Sequence, residues 1–212
     1  MADSTNILSA NKETPSEESL IKDLEEIISG EVTRIIVTTF SSNVTRIKTL
    51  TDLARKHGRK ICLYGRSLQR YSATAEEIGY LEPLNDIVDI EKLDSENQKC
   101  LVIVSGCQAD FRSTFRRVAH GTDSRVELNR NDIVVLSSKT IPGNEKNVSM
   151  ALNQIAKTGA SIITANDKHI HASGHAGSDD LKTLFHSFKP THHIPIHGET
   201  FFLERHKKLI SK

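Results

Sequence analysis

The 212-residue sequence has almost no excess charge of either sign: 28 Lys and Arg oppose 27 Asp and Glu, for a formal net charge of +1. Such a chain has no overall attraction to nucleic acid, so any binding of that kind must use local patches. Cysteine is scarce. Cys62, Cys100 and Cys107 show no CxxC spacing, which excludes a disulfide framework and fits a reducing cytoplasm. No apolar run approaches the roughly 20 residues that a membrane span requires. The first residues, Met1-Ala2-Asp3-Ser4-Thr5-Asn6, lack the basic and apolar regions of a signal peptide. There is no internal repeat, no low-complexity stretch, no P-loop and no GxGxxG fingerprint. These absences leave the expectation of a soluble cytoplasmic protein, long enough for one large domain or two small ones with a real core.

Histidine is what the chain has in a concentrated form. Seven of the ten histidines fall between His169 and His197, six of them in two packets. The first is His169-Ile170-His171-Ala172-Ser173-Gly174-His175; the second is His192-His193-Ile194-Pro195-Ile196-His197-Gly198-Glu199. Imidazole binds metals and moves protons near neutral pH, so the cluster points to a metal or phosphate site. Ser173-Gly174 argues against a regular helix between His171 and His175. A turn there brings both rings to one place and lets the Gly174 backbone approach a ligand. His197 follows a short strand and precedes Gly198-Glu199, where its ring projects from a strand end. A lone histidine is more often a hydrogen-bonded structural group; the glycine-bordered pairing of packets is what favours a site.

Upstream of the histidines, short β-branched runs alternate with helical periodicity. Strands are expected at 35–40, 60–64, 100–106, 132–138 and 160–164, with a further short one at 192–196. Helices are expected at about 20–28, 44–57, 68–77, 111–119, 144–158, 179–188 and 201–210. Strands separated by crossover-length helices imply right-handed βαβ units, hence an α/β fold with a Rossmann-like parallel sheet and helices on both faces. In such a sheet ligands collect beyond the carboxyl ends of the strands. Three segments carry polar chemistry there. Ser41-Ser42-Asn43 with Arg46 suits a phosphate, or is an ordinary helix cap. Gly106-Cys107-Gln108 leads to Arg112, Arg116 and Arg117, which also read as a solvated helix face. Ser137–Glu145 is a turn that positions hydroxyls and caps the next helix.

Several short motifs, in order and at compatible spacing, resemble RNase J, a bacterial ribonuclease of the β-CASP group in the metallo-β-lactamase superfamily. They are Asp3-Ser4-Thr5-Asn6, Thr14-Pro15-Ser16-Glu17, Thr39-Phe40-Ser41-Ser42-Asn43 with Arg46, Gly65-Arg66-Ser67, Ile141-Pro142-Gly143-Asn144-Glu145, His171-Ala172-Ser173-Gly174-His175 and Pro195-Ile196-His197-Gly198-Glu199. The resemblance implies two Zn2+ (or manganese) ions per active site and hydrolysis of RNA phosphodiesters, both endonucleolytic and 5′-to-3′ exonucleolytic. It makes Asp3 the carboxylate that bridges the metals and His197 a late histidine ligand. It makes His171, Ala172, Ser173, Gly174 and His175 the segment that contacts the substrate phosphate, with His175 the proton-handling group. Ser42, Asn43 and Arg46 fall in the same substrate-binding set. The neighbours His169, His186, His192 and His193 are expected to carry no chemistry.

The sequence departs from the family in three ways. The motif His-x-His-x-Asp-His, which supplies most of the family's metal ligands upstream of the Asp3 position, does not occur in it. Asp3 and His197 are two protein ligands, whereas a catalytic zinc usually takes three. The family's glycine-rich turn with its acidic-proline ending reads here Gly106-Cys107-Gln108-Ala109-Asp110-Phe111. The resemblance therefore implies an intact β-CASP domain over 31–168, flanked by an incomplete metallo-β-lactamase domain: a remnant with a connecting helix at 1–30 and a returning segment at 169–212. Half a sandwich leaves a strand edge and an apolar face uncovered. The expectation is a partial enzyme, inactive alone, that acts on RNA with a separate N-terminal chain supplying the missing ligands. It has no membrane partner, and a homo-oligomer is allowed. The alternative is a non-catalytic fragment with at most weak RNA binding. A third, weaker reading is a Rossmann-like binder of small nucleotides.

Overall fold

The computed structural model describes residues 1–9, 12–93 and 98–211, and its elements follow the strand–helix alternation of the sequence. In chain order they are β1 (Ala2–Asp3), α1 (Ile21–Ile28), β2 (Arg34–Thr39), α2 (Val44–Lys56), β3 (Lys60–Tyr64), α3 (Arg66–Glu77), β4 (Cys100–Ser105), α4 (Thr114–Ala119), β5 (Asp132–Leu136), α5 (Glu145–Thr158), β6 (Ser161–Ile163), α6 (Ser178–Phe188), β7 (Pro195–Ile196) and α7 (Thr200–Ile210). The chain divides into two compact units. The larger is Glu17–His171; the smaller joins Met1–Ser16 to Ala172–Lys212.

The larger unit is built on a five-stranded sheet in the order β3-β4-β2-β5-β6, and every pairing is parallel. Parallel strands are buried on both faces, which is why β2 and β4 read as continuous apolar runs. Side chains alternate across the sheet. Ile36, Cys62, Val102, Val104 and Val134 pack with Phe115 and Val118 of α4 and with Val148, Ala151 and Ile155 of α5. Ile35, Val37, Ile61, Leu101 and Ile103 point to the opposite face, where Leu24 and Ile28 of α1 and Ile47 and Leu50 of α2 are also buried. The central strands are tied by a buried ion pair: both carboxylate oxygens of Asp132 in β5 accept from the Arg34 guanidinium of β2, each at 2.7 Å.

Some element bounds differ from expectation for local reasons. The helix expected from residue 111 begins at Thr114, because Ser113 is its cap and accepts from the Arg116 amide at 3.2 Å. The Ser113 amide bonds the Asp110 carbonyl in the turn before it. The strand expected over 192–196 is reduced to Pro195–Ile196, whose sheet partner is the two-residue β1. Cys62, Cys100 and Cys107 are all free and buried. Burial pushes the Cys62 thiol up to about 12 and the Cys100 thiol up to about 11, so neither is a nucleophile. Among the described residues no helix is long and apolar enough to cross a membrane.

The smaller unit holds the parallel β1–β7 pair together with α6 and α7. Its core is slight: Ala2, Ile7 and Leu181 pack with Ala176, Phe202 and Leu209. The expected boundaries at 30/31 and 168/169 compare with observed divisions at 16/17 and 171/172, so α1 and the first histidines of the cluster belong to the larger unit.

Candidate metal centre

Within the smaller unit, two strands and one turn converge. The β1–β7 register sets Asp3 opposite Ile196, so His197 emerges one residue beyond its neighbour's carboxylate. His197 has a φ of +58°, a left-handed conformation uncommon for a residue with a Cβ and a form of strain found at functional sites. The next residue, Gly198, is closely packed. A Cβ at Gly198 would lie 3.0 Å from the Phe202 Cβ and 3.4 Å from that of Ser4. The turn carrying His175 is held by side chains from the N-terminal segment. Asn6 Nδ2 donates to the His175 carbonyl at 2.6 Å and to Ser173 Oγ at 2.9 Å. Thr14 Oγ1 donates to the same carbonyl at 2.9 Å, and Asp180 accepts the Gly177 amide at the start of α6.

These restraints place Asp3, His175 and His197 together. His197 Nδ1 lies 2.5 Å from Asp3 Oδ2, and His175 Nδ1 lies 3.2 Å from Asp3 Oδ1. The two imidazole centroids are 5.5 Å apart, and one ligand atom from each of the three residues falls within 4.8 Å of the others. Partial burial would raise the Asp3 carboxyl. The Thr5 amide, His197 and the Thr5 hydroxyl outweigh it and hold Asp3 below the ordinary aspartate range. Asp3 is therefore an anion with two imidazoles turned toward it. One carboxylate and two imidazoles form a donor set that zinc accepts, three protein ligands with room for further groups. The sequence motifs mark Asp3 and His197 as ligands and His175 as a proton-handling group. The structure adds that His175 is within reach of the same ion.

Behind Asp3 lies an arrangement the sequence did not reveal. Ser4 and His206 are both fully buried, with Ser4 Oγ 2.9 Å from His206 Nδ1. His206 Nε2 in turn lies 2.9 Å from His193 Nε2. Burial lowers the pKa of both rings, so the pair is held neutral. His206 sits outside both histidine packets, and no spacing rule connects it to residue 4. His193, expected to carry no chemistry, is the partner of this buried ring.

The other expected substrate residues belong to the larger unit. Ser42 is exposed at the start of α2, and Asn43 caps that helix, its Oδ1 accepting the Arg46 amide at 3.0 Å. Arg46 is a different case. Its side chain is fully buried, pairs with Glu17 at 2.7 Å, and donates to the Ile170 carbonyl at 2.7 Å and to the Ser137 hydroxyl. The direct phosphate contact expected of Arg46 is thus replaced here by a structural role, since its donors are engaged inside the unit. His171 follows the segment that Arg46 holds. Burial, with the charges of Arg46 and Lys139 beside it, pushes its imidazole down to about 4. It is a neutral group at physiological pH. Gln108 is likewise a positioning residue: it donates to the Lys139 carbonyl at 2.9 Å and accepts from the Ile141 amide at 2.7 Å, tying the loops after β4 and β5.

A parallel α/β sheet flanked by helices, followed by a unit with a clustered carboxylate and two histidines, defines a class, and family models place it further. Residues 32–155 match the model described as Ribonuclease J, beta-CASP domain, and residues 163–212 match the Zn-dependent metallo-hydrolase RNA specificity domain. Curated relatives agree. The chain is 34% identical to Ribonuclease J of Thermus thermophilus over 88% of its own length and 33% of that protein's. It is 33% identical to Ribonuclease J of Synechocystis over 92% of the chain, and 33% identical to that of Sinorhizobium meliloti over 99%. The chain belongs to the Ribonuclease J family. It spans about a third of the length of these relatives, 33%, 31% and 37% respectively.

Proposed function

We propose that the chain is the RNA-handling portion of a zinc-dependent ribonuclease whose remaining metal ligands come from outside these 212 residues. The observation that carries this reading is the Asp3–His175–His197 cluster in a member of this family. Asp3 and His197 would hold metal, Asp3 through its carboxylate and His197 through its imidazole. The ions, when bound, polarise the phosphodiester and stabilise attacking and leaving oxygens. His175 moves a proton at the scissile phosphate and is close enough to share the ligand role. His171, Ala172, Ser173 and Gly174 contact the substrate phosphate, and Ser42 and Asn43 are substrate-binding residues of the larger unit. Arg46 serves that surface through the segment it clamps. In domain terms we assign 31–168 to the β-CASP domain, with 1–30 and 169–212 as metallo-β-lactamase segments.

Three protein donors do not satisfy two zinc ions, and His-x-His-x-Asp-His is absent from the sequence. The chain by itself is therefore inactive in this proposal. The smaller unit's surface also exposes apolar side chains, Phe188 at 76%, Phe201 at 55% and Ile194 at 54%. Such apolar exposure marks an interaction site. Free, buried thiols fit action in the cytoplasm. The test is zinc stoichiometry and RNA hydrolysis for the purified chain, alone and with a polypeptide bearing the missing motif. Neither a stable metal pair nor turnover is expected alone, and both are expected from the combination. Asp3→Asn should abolish both in the combination, whereas His175→Ala should lose turnover more than metal. A stable pair of metals with turnover by the chain alone would overturn the inactivity; a combination that neither binds metal nor cleaves would overturn the assignment.

A further inference from the structure

The larger unit carries a groove that the metal centre does not use. It has a volume of about 430 Å³ and is lined by Val44, Arg70, Tyr71, Thr74, Ile78 and Tyr80. Gly65, at a φ of +133°, makes the tight entry to α3; a Cβ there would fall 1.9 Å from Ser105 Oγ. The sharp turn sets Arg66 at the first position of α3, with Arg70 one turn later on the same exposed face. Neither guanidinium has an ion-pair or hydrogen-bond partner among the described residues. By contrast Arg34, Arg46, Arg55, Arg117 and Arg125 are all paired.

Two aromatic rings stand beside these cations. Tyr71 is 41% exposed and Tyr80 45%, and the Tyr80 hydroxyl is fixed 2.9 Å from Thr45 Oγ1. Ser41 Oγ lies 3.0 Å from Ser67 Oγ and links the starts of α2 and α3, the two helices that supply Val44 and Arg70 to the groove. Glu77 of α3 is exposed near Ile78 of the groove, and Glu76 is occupied by the Leu84 amide at 2.8 Å. Unpaired arginines flanking exposed aromatic faces form the combination that holds a single-stranded nucleic acid: charge on the backbone, rings under the bases.

We propose that this groove is a second, metal-independent contact for a single-stranded segment of RNA, with Tyr71 and Tyr80 as stacking surfaces and Arg66 and Arg70 as phosphate contacts. The identity of the strand rests on the RNA-directed reading above. The site itself rests on the groove, its rings and its two unpaired arginines.

The test uses the full chain in chelator with a short oligouridylate, measuring affinity against salt concentration. R66A/R70A should lower the logarithmic salt slope by about 1.4, at roughly 0.7 for each single-strand phosphate that is no longer neutralised. Y71A should weaken binding roughly tenfold while Y71F retains it, because the ring supplies the stacking. Ultraviolet cross-links should map to Tyr71 or Tyr80. Zinc stoichiometry tests the metal-centre reading and binding in chelator tests this one, so failure of either is read separately. All the substituted groove residues are exposed, and circular dichroism checks that the variants are folded. The proposal is overturned if the metal-free chain binds no oligonucleotide, if R66A/R70A and Y71A match the parent, or if a polyglutamate peptide occupies the groove in preference to RNA.

Discussion

Between Glu17 and His171, five parallel strands bury Ile35, Ile36, Val102, Ile103 and Val135 almost completely, and even a guanidinium, that of Arg46, is sealed inside with its donors engaged. In the unit formed by Met1–Ser16 and Ala172–Lys212, the buried apolar side chains are Ala2, Ile7, Ala172 and Leu181, while Phe188, Ile194 and Phe201 stand largely in solvent. Yet the smaller unit holds the carboxylate, the two clustered imidazoles and the strained His197 backbone. One region supplies rigidity through dense burial; the other supplies donors on short elements that its own core scarcely supports. Stability and chemistry therefore respond to different substitutions.

The largest effect that would break this contrast is expected at Arg46. Arg46→Met leaves the Glu17 carboxylate unpaired and removes the donor to the Ile170 and Ser137 carbonyls, at a cost of about 3–5 kcal/mol to the larger unit. Denaturant unfolding followed by circular dichroism measures it; a drop below about 1 kcal/mol, the range of a surface ion pair, would remove Arg46 from its central role. His206→Ala comes next. It strands the buried Ser4 hydroxyl and should cost roughly 1–3 kcal/mol, confined to the smaller unit. Hydrogen exchange should quicken at the amides of Ser4, Thr5 and α7 and stay unchanged in β2, β4 and β5. Equal quickening in both units would mean that they unfold together.

A pH effect of intermediate size sharpens the comparison at His171. Its folded pKa of about 4 lies below the ordinary 6.5, so the unfolded chain takes up the proton first as pH falls. The contribution of this residue is complete above 6.5, declines between 6.5 and about 4, and is gone below that. His171→Gln should flatten this part of the stability profile, and the ring's NMR signals should remain those of a neutral imidazole at about pH 5. A ring already protonated there would contradict the burial that defines it. The smallest effect is expected at Phe201, which is 55% exposed. Phe201→Ser should change stability by no more than about 0.5 kcal/mol in the chain alone. It should matter only when a polypeptide bearing the missing motif is added, as weaker association in a pull-down with that polypeptide.

The larger unit was legible to an unusual degree because a buried parallel strand announces itself. The runs at Ile35–Thr39, Cys100–Ser105 and Asp132–Leu136 are short, rich in β-branched residues and mostly apolar, and glycine or a polar cap closes the helices between them. In the candidate site, the motif residues Asp3, His175 and His197 were visible one at a time. The clamps on them, Asn6 and Thr14, lay within recognised motifs but without an assigned task. Arg46 was misjudged for a clear reason: an arginine one turn into a helix after a Ser-Ser-Asn cap has the pattern of a phosphate ligand, and only burial shows its charge to be answered by Glu17.

By itself the sequence determined the α/β alternation, the places where helices begin and end, and the chemical types concentrated near the end of the chain. These follow from local periodicity and from side-chain chemistry, which need no knowledge of distant neighbours. Only the tertiary structure decided that residue 3 meets residues 175 and 197, that Ser4 closes on His206, and that Arg46 faces inward. Those contacts join segments separated by up to 202 positions, and their register is set by the β1–β7 pairing and by burial of the whole fold rather than by anything within one segment.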